Sequence, residues 1–164
     1  MAIYMKIKGI EGQSTMKKYE KWIEVDSLGF TVNRNINTTP GNSVDRQGTN
    51  PTLSPISITK EICKATPDLF IATCGKRDNG KAFDEVDIHV CHNNGEAYIK
   101  YKLSNVLLSN YQLQGDNNCK DKRPLEILGL NYDKIEMDFT PHDEKHGAGS
   151  PTRSGYSLVN ADKV

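Results

Sequence analysis

The chain has 164 residues, with 21 basic and 21 acidic side chains, and therefore carries no formal net charge at pH 7. This length suffices for a single domain, residues 1–164, to bury a core without disulfides or a structural metal. A neutral chain lacks the positive field that nucleic-acid and anionic-membrane binders use, so we expect no polynucleotide partner.

The N-terminal residues 1–8 contain no apolar run long enough for a signal peptide or a transmembrane helix. We therefore expect synthesis and folding in the cytoplasm, with no insertion into a membrane. The four cysteines, Cys63, Cys74, Cys91 and Cys119, lack CxxC spacing. The chain is also too large for a disulfide-built scaffold, so reduced thiols are expected.

The first third of the chain predicts two strands followed by a long loop. Apolar and polar residues alternate over residues 3–8, and residues 22–32 are rich in aromatic and β-branched side chains, with a predicted bulge at Gly29. Residues 33–55 are dense in Asn, Thr, Gly, Ser and Pro and predict a loop. Loops of this length are uncommon in compact domains and frequently contact a partner.

Alternation of apolar and polar residues resumes at residues 56–58 and predicts a further strand. The segment Thr66-Pro67-Asp68 is then typical of a helix start. Thr66 is the predicted N-cap, Pro67 has the φ angle of a first helical residue, and Asp68 places negative charge in the first turn. Gly75 is the predicted end of the helix. So short a helix is marginal alone and must be stabilised by packing.

The second half of the chain predicts long strands. Residues 86–91 alternate, Asn94-Gly95 predicts a two-residue hairpin loop, and a long strand follows over residues 98–111. A polar connection over residues 112–122 then leads to a further long strand.

Residues 125–140 form that strand, and its pattern contains a break. Leu128, Leu130 and Tyr132 share one face, and the apolar parity switches near Asp133, which predicts a bulge or a bend. A last strand is predicted at residues 156–159. The fold class is therefore mainly β, an antiparallel barrel or sandwich with one short α-helix and a long extended loop.

Two histidines near the C-terminus, His142 and His146, have the i, i+4 spacing of some metal sites. The zincin motif places Glu directly after the first His on a helix, whereas this segment follows Pro141 and precedes glycines, which favour a loop. A solvated polar turn is the preferred interpretation.

The other candidate sites also lack the sequence features that their motifs require. His89 and Cys91 share one face of a predicted strand while His92 points to the other, so these three side chains do not converge on a metal. Residues 116–121 resemble a calcium loop but lack its glycine, and Ile127 stands where its closing glutamate belongs. Dinucleotide-binding, P-loop and GxSxG patterns are absent from the sequence. We expect no catalytic residues, no metal and no cofactor.

Several segments follow one another in a recognisable order: Tyr4-Met-Lys-Ile-Lys-Gly-Ile-Glu-Gly12, Trp22-Ile-Glu-Val25, Ile58-Thr-Lys-Glu61, Ala65-Thr-Pro-Asp-Leu69, Tyr101-Lys-Leu-Ser-Asn-Val106, residues 123–140 and Gly155-Tyr156. In these segments, and over nearly its whole length, the chain resembles the Hcp family, haemolysin-coregulated proteins that form the tube of bacterial type VI secretion. The chain departs from the family at Asp133, where glycine is frequent, and at Met137, where an aromatic residue is common.

The resemblance implies a non-enzymatic building block. Hcp proteins form hexameric rings that stack into a hollow tube, are exported without a signal peptide to the extracellular space or a target cell, and carry effectors in the lumen. The implied partners are further copies of the chain and the sheath, spike and effector proteins of the secretion machine. Ring closure needs a heterologous interface, in which one surface patch meets a different patch on the next copy.

The loop at residues 33–55 is the predicted contact to a neighbouring copy. Asp45 and Arg46 are its only charges between Arg34 and Lys60, which makes them candidate steering groups for a partner surface. We assign the interface hypothesis to Asn42, Asp45, Arg46 and Gln47.

Two alternatives stay open at this point. One is a monomeric β-barrel that binds a small ligand or carbohydrate in its mouth. The other is a metal-dependent hydrolase that uses His142 and His146.

Overall fold

The computed structural model describes residues 1–36, 48–115, 123–142 and 149–164. These ranges contain twelve β-strands, one α-helix and a short 3-10 helix (Arg77–Gly80). The elements are β1 (Ala2–Ile7), β2 (Ile23–Val25), β3 (Ser27–Gly29), β4 (Val32–Asn33), β5 (Thr52–Leu53), β6 (Ile56–Glu61), α1 (Thr66–Thr73), β7 (Phe83–Cys91), β8 (Ala97–Gln114), β9 (Leu125–Asn131), β10 (Lys134–Phe139), β11 (Thr152–Ser157) and β12 (Asp162–Lys163). The predicted mainly β fold with one short helix is confirmed.

The strands close into an antiparallel barrel because β2 and β3 connect two sheets. β2 pairs with β1, and β1 pairs in turn with β7, while β3 pairs with β6. Only Asp26 separates β2 from β3, and its backbone N–H donates to the Thr59 carbonyl oxygen at 2.8 Å. β6 pairs with β9, β9 with β8, and β8 with β7, which completes the circuit of hydrogen bonds.

β8 is 18 residues long and changes partners along its length. Its first part pairs with β7 on one edge and with β10 on the other, and its last part pairs with β9. The change occurs at Asn105, which has a φ of +53° and whose side-chain amide donates to the Asp133 carboxylate. The predicted break near Asp133 is confirmed, since β9 ends at Asn131 and β10 begins at Lys134. β11 and β12 extend the sheet beyond β10.

The barrel interior is filled by the apolar faces of these alternating strands. Fully or almost fully buried side chains come from β1, β2, β6, β7, β8 and β9, among them Met5, Ile7, Ile23, Ile56, Ile58, Val86, Ile88, Leu103, Leu128 and Leu130. Helix α1 follows β6 and adds Ala65 and Leu69 to the same core. The helix also packs against β8, where the Phe70 and Tyr111 ring centroids lie 5.6 Å apart.

The helix start differs from the prediction by one residue. The N-cap is Ala65, which forms no side-chain capping bond, and Thr66 is already helical. The Thr66 hydroxyl instead accepts a hydrogen bond from the Cys63 backbone N–H at 2.9 Å, so it stabilises the turn before the helix. The predicted end is confirmed, because Gly75 follows the C-cap with a φ of +65°.

The hairpin between β7 and β8 has a three-residue loop rather than the predicted two-residue one. His92 and Glu96 form the closing pair, with the His92 N–H donating to the Glu96 carbonyl oxygen at 2.9 Å. Gly95 alone of the loop residues has a positive φ, +79°. This pattern belongs to a turn that ends in a left-handed residue. The sequence Asn94-Gly95 suits this turn as well as it suits the predicted two-residue turn.

Other details of the strands also differ from the sequence prediction. Gly29 pairs regularly with Ser57, and the bend in the second strand lies at Asp26 instead. β4 and β5 pair within the predicted loop of residues 33–55. The last long strand is β11, which begins at Thr152 rather than residue 156. Its pairing with β10 extends from Lys134–Ser157 to Phe139–Thr152.

Candidate functional site

The predicted interface residues Asn42, Asp45, Arg46 and Gln47 lie outside the described residues, and so does His146. The base of their loop is described, and it is a small antiparallel ladder. β4 pairs with β5, and Ile36 forms a bridge with Gly48. The Arg34 Nε donates to the Thr49 carbonyl oxygen at 2.9 Å. The loop therefore leaves the barrel from an ordered two-stranded base.

An apolar groove of about 390 Å³ lies between this base and the β10–β11 sheet. Its main lining residues are Phe30, Val32, Leu53, Met137, Tyr156 and Lys163. Val32 is 53% exposed and Met137 is 37% exposed, although both are large apolar side chains. Exposed apolar surface of this kind is typical of protein interfaces. We name this surface the groove.

A second apolar surface is formed by other elements. Phe70 and Ile71 on α1 are 48% and 42% exposed, and Leu113 near the end of β8 is 56% exposed. Phe70 stands against Tyr111, two residues before Leu113 in the chain, so helix and strand contribute to one area. We name this surface the helix face. The groove and the helix face are built from different elements.

Among the described residues, the interior of the barrel contains one pair of charged side chains. Lys60 of β6 and Glu126 of β9 form an ion pair in which neither side chain has exposed surface. The Tyr111 hydroxyl donates to Glu126 Oε1 at 2.9 Å, and Lys60 Nζ donates to the Glu61 carbonyl oxygen at 2.7 Å. Burial raises the pKa of Tyr111 to about 12, and the carboxylate beside it acts in the same direction. The tyrosine therefore stays a donor at neutral pH.

This packed interior argues against the small-ligand alternative as the sequence posed it. A barrel that binds a ligand in its mouth needs an open interior. Here apolar side chains and the Lys60–Glu126 pair occupy that space.

An aromatic cluster covers the outer face of β1 and β7. The Tyr4 and Tyr19 rings stack at 4.4 Å between centroids, and Trp22 packs edge-on against Tyr19 at 5.0 Å. His89 lies 4.8 Å from the Trp22 ring, and its Nδ1 is 3.3 Å from the Tyr19 hydroxyl oxygen. The segment that carries Tyr19 and Trp22 thus folds back onto the sheet through aromatic contacts.

His89 and Cys91 share that face, as predicted, and both are neutral there. Burial lowers the pKa of His89 to about 4, and the charges of Lys100 and Lys6 contribute in the same direction. Burial raises the pKa of the Cys91 thiol. A protonated, buried thiol is a poor nucleophile, so a Cys–His catalytic pair is not supported.

His142 contacts a different set of residues. Its ring centroid lies 5.0 Å from that of His92, and its Nε2 is 3.8 Å from Glu96 Oε2. The rings of His92 and His142 meet edge to face, at an interplanar angle of 80°. Among the described residues, His, Cys, Asp and Glu side chains form no group of three or more that could hold a metal ion.

Beyond the aromatic cluster, the outer face of the sheet carries cross-strand rows of alternating charge. Lys6 of β1 pairs with Asp87 of β7, Asp87 with Lys102 of β8, and Lys102 with Glu136 of β10. Opposite charges at directly paired positions stabilise a sheet modestly. This area is a solvated wall with balanced charge.

Sequence reasoning did not find the groove, the helix face or the aromatic cluster. Each combines residues that are far apart in the chain, as Tyr4, Tyr19 and His89 illustrate. The one local signal was the position of Tyr4 among the lysines on the outer face of β1. An aromatic residue on a polar face requires a covering partner, which Tyr19 provides.

The part of the chain that the structure describes has no helix whose length and apolar character would let it cross a membrane.

Comparisons with known proteins agree with one another. A family model described as "Type VI secretion system effector, Hcp" matches residues 4–139. A solved structure titled "Structure of a type six secretion system protein" is 25% identical, with 99% of each chain covered and a TM-score of 0.90.

Two further solved structures, both under 25% identical, show the same fold. Hcp1 from Salmonella typhimurium is 18% identical over 99% of this chain and 98% of that chain, with a TM-score of 0.79. A type VI secretion system effector from Yersinia pestis is 20% identical over 94% of this chain and 98% of that chain, with a TM-score of 0.71. A search of curated protein sequences finds no match.

Proposed function

The chain belongs to the Hcp family of type VI secretion system effectors, and we propose that six copies form a ring that stacks into the secreted inner tube. The predicted single domain over residues 1–164 is the repeating unit of this tube. Its role is structural, with no catalysis and no cofactor. The family membership supports this role, and the surfaces of the barrel supply a way to assemble it.

The observation that carries the proposal is the presence of two different apolar surfaces on one barrel. A ring closes only if a patch on each copy meets a different patch on the next copy. The groove is concave and lies between β4–β5 and β10–β11, whereas the helix face presents the side chains of Phe70 and Ile71. In the proposed ring, the helix face of one copy packs into the groove of its neighbour.

The loop at residues 33–55 supplies the second contact in this proposal. Asn42, Asp45, Arg46 and Gln47 are the proposed interface residues, and they extend from the paired base formed by β4 and β5. Val32 and Leu53 of that base also line the groove, so both proposed contacts involve the same region of the barrel.

The remaining partners follow from a place in the secretion machine. We assign to this chain contacts with the sheath, the spike and effectors carried in the lumen, and export without a signal peptide to the extracellular space or a target cell. We assign no nucleic-acid partner and no membrane insertion, because the chain has zero formal net charge and a row of alternating charges across the outer face of β7, β8 and β10.

The mass in solution tests the proposal directly. Six copies of the 18.3 kDa chain give a particle of about 110 kDa. Size-exclusion chromatography with light scattering at micromolar concentration is expected to give that mass. A stable monomer under these conditions contradicts the ring.

A further inference from the structure

A cleft of about 420 Å³ lies on the outer face of the barrel, away from the groove and the helix face. His89 and Lys100, on neighbouring strands, form its floor. Tyr19 and Trp22 form one wall, and the segment with Thr140 and His142 forms the wall across from it. The volume falls in the range of small-ligand sites, about 300–1,000 Å³. We name this space the aromatic cleft.

Positive charge dominates the lining of the aromatic cleft. Lys18 and Lys100 line it, and among the described residues neither forms an ion pair. Lys100 pairs across the strands with Asp138, but both oxygens of that carboxylate accept hydrogen bonds from Arg153, each at 2.6 Å. The Asp138 carboxylate, which is nearest to Lys100 in the ladder, is thus already hydrogen-bonded to Arg153.

The charges of these lysines act on titratable groups that line the cleft or lie near it. The charge of Lys100 lowers the pKa of His89, in addition to the larger effect of burial. The charges of Lys100 and Lys18 act on the Cys91 thiol in the same direction, against the larger effect of burial. Both effects favour the less positively charged form of the group. An anion placed in the cleft would experience the same positive potential.

One acidic residue, Glu96, also lines the cleft, and its carboxylate has partners of its own. Glu96 Oε2 accepts a hydrogen bond from the Asn94 side-chain amide at 3.1 Å and faces His142 Nε2 at 3.8 Å. The His142 Nδ1–H donates to the Thr140 carbonyl oxygen at 3.1 Å, which directs Nε2 toward Glu96. Glu96 is therefore held at the His142 side, on the wall across from Trp22.

The wall at Trp22 offers a planar surface for an aromatic group. The Trp22 ring is half-buried and fixed between Tyr19, at 5.0 Å, and His89, at 4.8 Å. Lys6 Nζ lies 5.7 Å from the Trp22 ring centroid. Aromatic rings gain both apolar burial and favourable ring–ring geometry on such a surface.

We propose that the aromatic cleft binds a carboxylate carried on an aromatic group, with the carboxylate at Lys18 and Lys100 and the ring against Trp22. Two sources share this chemistry: a free aromatic acid, and the C-terminal aromatic residue of a polypeptide. All lining residues come from one chain, so binding requires no neighbouring copy. This inference therefore stands apart from the proposed ring.

The fluorescence of Trp22 tests the inference, because it is the only tryptophan in the chain. N-acetyl-phenylalanine, which mimics an aromatic C-terminus, is titrated into the full-length protein at pH 7 and low ionic strength. The neutral N-acetyl-phenylalaninamide serves as the matched probe without charge, and benzoate represents a free aromatic acid. We expect a saturable change with an acid, none with the amide at equal concentration, and weaker binding as salt is added.

Substitutions connect the signal to the two lysines. Lys100→Gln and Lys18→Gln are each expected to weaken acid binding by about threefold to tenfold, the range for an exposed to partly buried charged contact. Lys102→Gln is the control for Lys100, since it lies two residues along the same face and contacts Glu85 at 2.8 Å instead. Lys17→Gln is the control for Lys18. Circular dichroism confirms that every variant is folded.

The outcomes separate the possibilities. Saturation by N-acetyl-phenylalanine but not benzoate supports a polypeptide C-terminus, and saturation by benzoate alone supports a free aromatic acid. Equal responses to the acid and the amide, no saturable change with either acid, or unchanged binding in both Lys100→Gln and Lys18→Gln would overturn the inference. Because binding is measured on the native protein whatever its mass, failure here leaves the proposed ring untouched.

Discussion

Lys60 and Glu126 occupy directly paired positions of β6 and β9 and form an ion pair with no exposed surface. A charge that is taken out of water costs several kcal/mol, and only a partner with good geometry offsets that cost. Here the partner is supplied by pairing of two strands that are 66 residues apart in the chain. The ion pair therefore depends on the β6–β9 register. A shift of one residue in the pairing of these strands would separate the two side chains.

The first prediction concerns that pair. Lys60→Met and Glu126→Gln each leave one buried charge without its partner, so each is expected to lower the free energy of unfolding by about 3–5 kcal/mol. The combined variant Lys60→Met with Glu126→Leu and Tyr111→Phe removes all three polar groups and is expected to lose less than either single variant. Urea denaturation followed by circular dichroism measures the three values.

The exposed pair Lys102–Glu85 is the matched control for this experiment. Its side chains are 48% and 44% exposed at a distance of 2.8 Å. Lys102→Met is therefore expected to cost less than about 1 kcal/mol. Similar losses at Lys60 and Lys102 would show that burial does not set the cost.

The second prediction concerns pH and His89. The pKa of His89 in the folded protein is lowered from 6.5 to about 4, mainly by burial. In the unfolded chain His89 regains its ordinary pKa, so between about pH 6.5 and pH 4 the unfolded state binds the proton more readily. The stabilising contribution is thus complete above pH 6.5 and is lost as the pH falls toward 4. Because the cleft admits some solvent, we expect a loss of about 1–2 kcal/mol.

His89→Gln removes this titration and keeps a hydrogen-bonding side chain beside Tyr19. Asp87, whose pKa is raised by burial, contributes in the opposite direction in both proteins, so the comparison isolates His89. Urea midpoints from pH 7 to pH 4.5 are expected to fall more steeply for the wild type than for His89→Gln. Parallel curves would show that His89 does not cause the loss of stability at low pH.

The third prediction concerns Asn105, where β8 changes partners. Asn105 has a φ of +53° and donates its side-chain amide to Asp133. Asn105→Ala loses the hydrogen bond and disfavours this backbone conformation, for an expected cost of about 1–2 kcal/mol. Asn105→Gly loses only the hydrogen bond and is expected to cost less. Thermal unfolding ranks the two variants, and a larger loss for glycine contradicts the backbone argument.

The fourth prediction concerns the two apolar surfaces of the proposed ring. Val32→Glu places a charge in the groove, and Phe70→Glu places one on the helix face, and both side chains are about half exposed in the single chain. Each variant is expected to fold and to remain a monomer, because a charge buried at an interface without a partner is costly. Light scattering measures the mass of each.

A mixture of the two variants gives a sharper result. Val32→Glu keeps an intact helix face, and Phe70→Glu keeps an intact groove, so a heterologous contact predicts one intact interface between them. The expected product is a heterodimer that cannot extend to a ring. Lys102→Glu, on the charged outer wall, is the control that should leave the ring intact. Assembly of both single variants into full rings would refute the assignment of these surfaces.

The interface loop provides a fifth prediction. Replacing Asp45 and Arg46 by alanine is expected to weaken association between copies while the free energy of unfolding of the monomer changes by less than about 0.5 kcal/mol, as for most surface substitutions. Analytical ultracentrifugation across a range of concentrations measures the change. An unaltered dissociation constant would remove both residues from the interface.

The strand content and the family were accessible from the amino-acid sequence. Residues such as Ile56 and Ile58 or Leu128 and Leu130 repeat with the period of two that a pleated strand imposes, so burial of one face follows from local spacing. Gly75 ends the helix for an equally local reason, since its left-handed φ favours glycine. The expected resemblance was confirmed over residues 4–139.

Tertiary structure decided how these local elements combine, because strand pairing and register are contacts between distant residues. Lys60 continues the inward parity of Ile56 and Ile58, yet only the register with β9 shows that a buried carboxylate meets it. Closure of the barrel at Asp26 and the stacking of Tyr4 on Tyr19 likewise arise from chain reversals that a periodic pattern does not encode. The sequence by itself determined which faces are apolar, and long-range pairing determined what those faces and the outer surfaces contact.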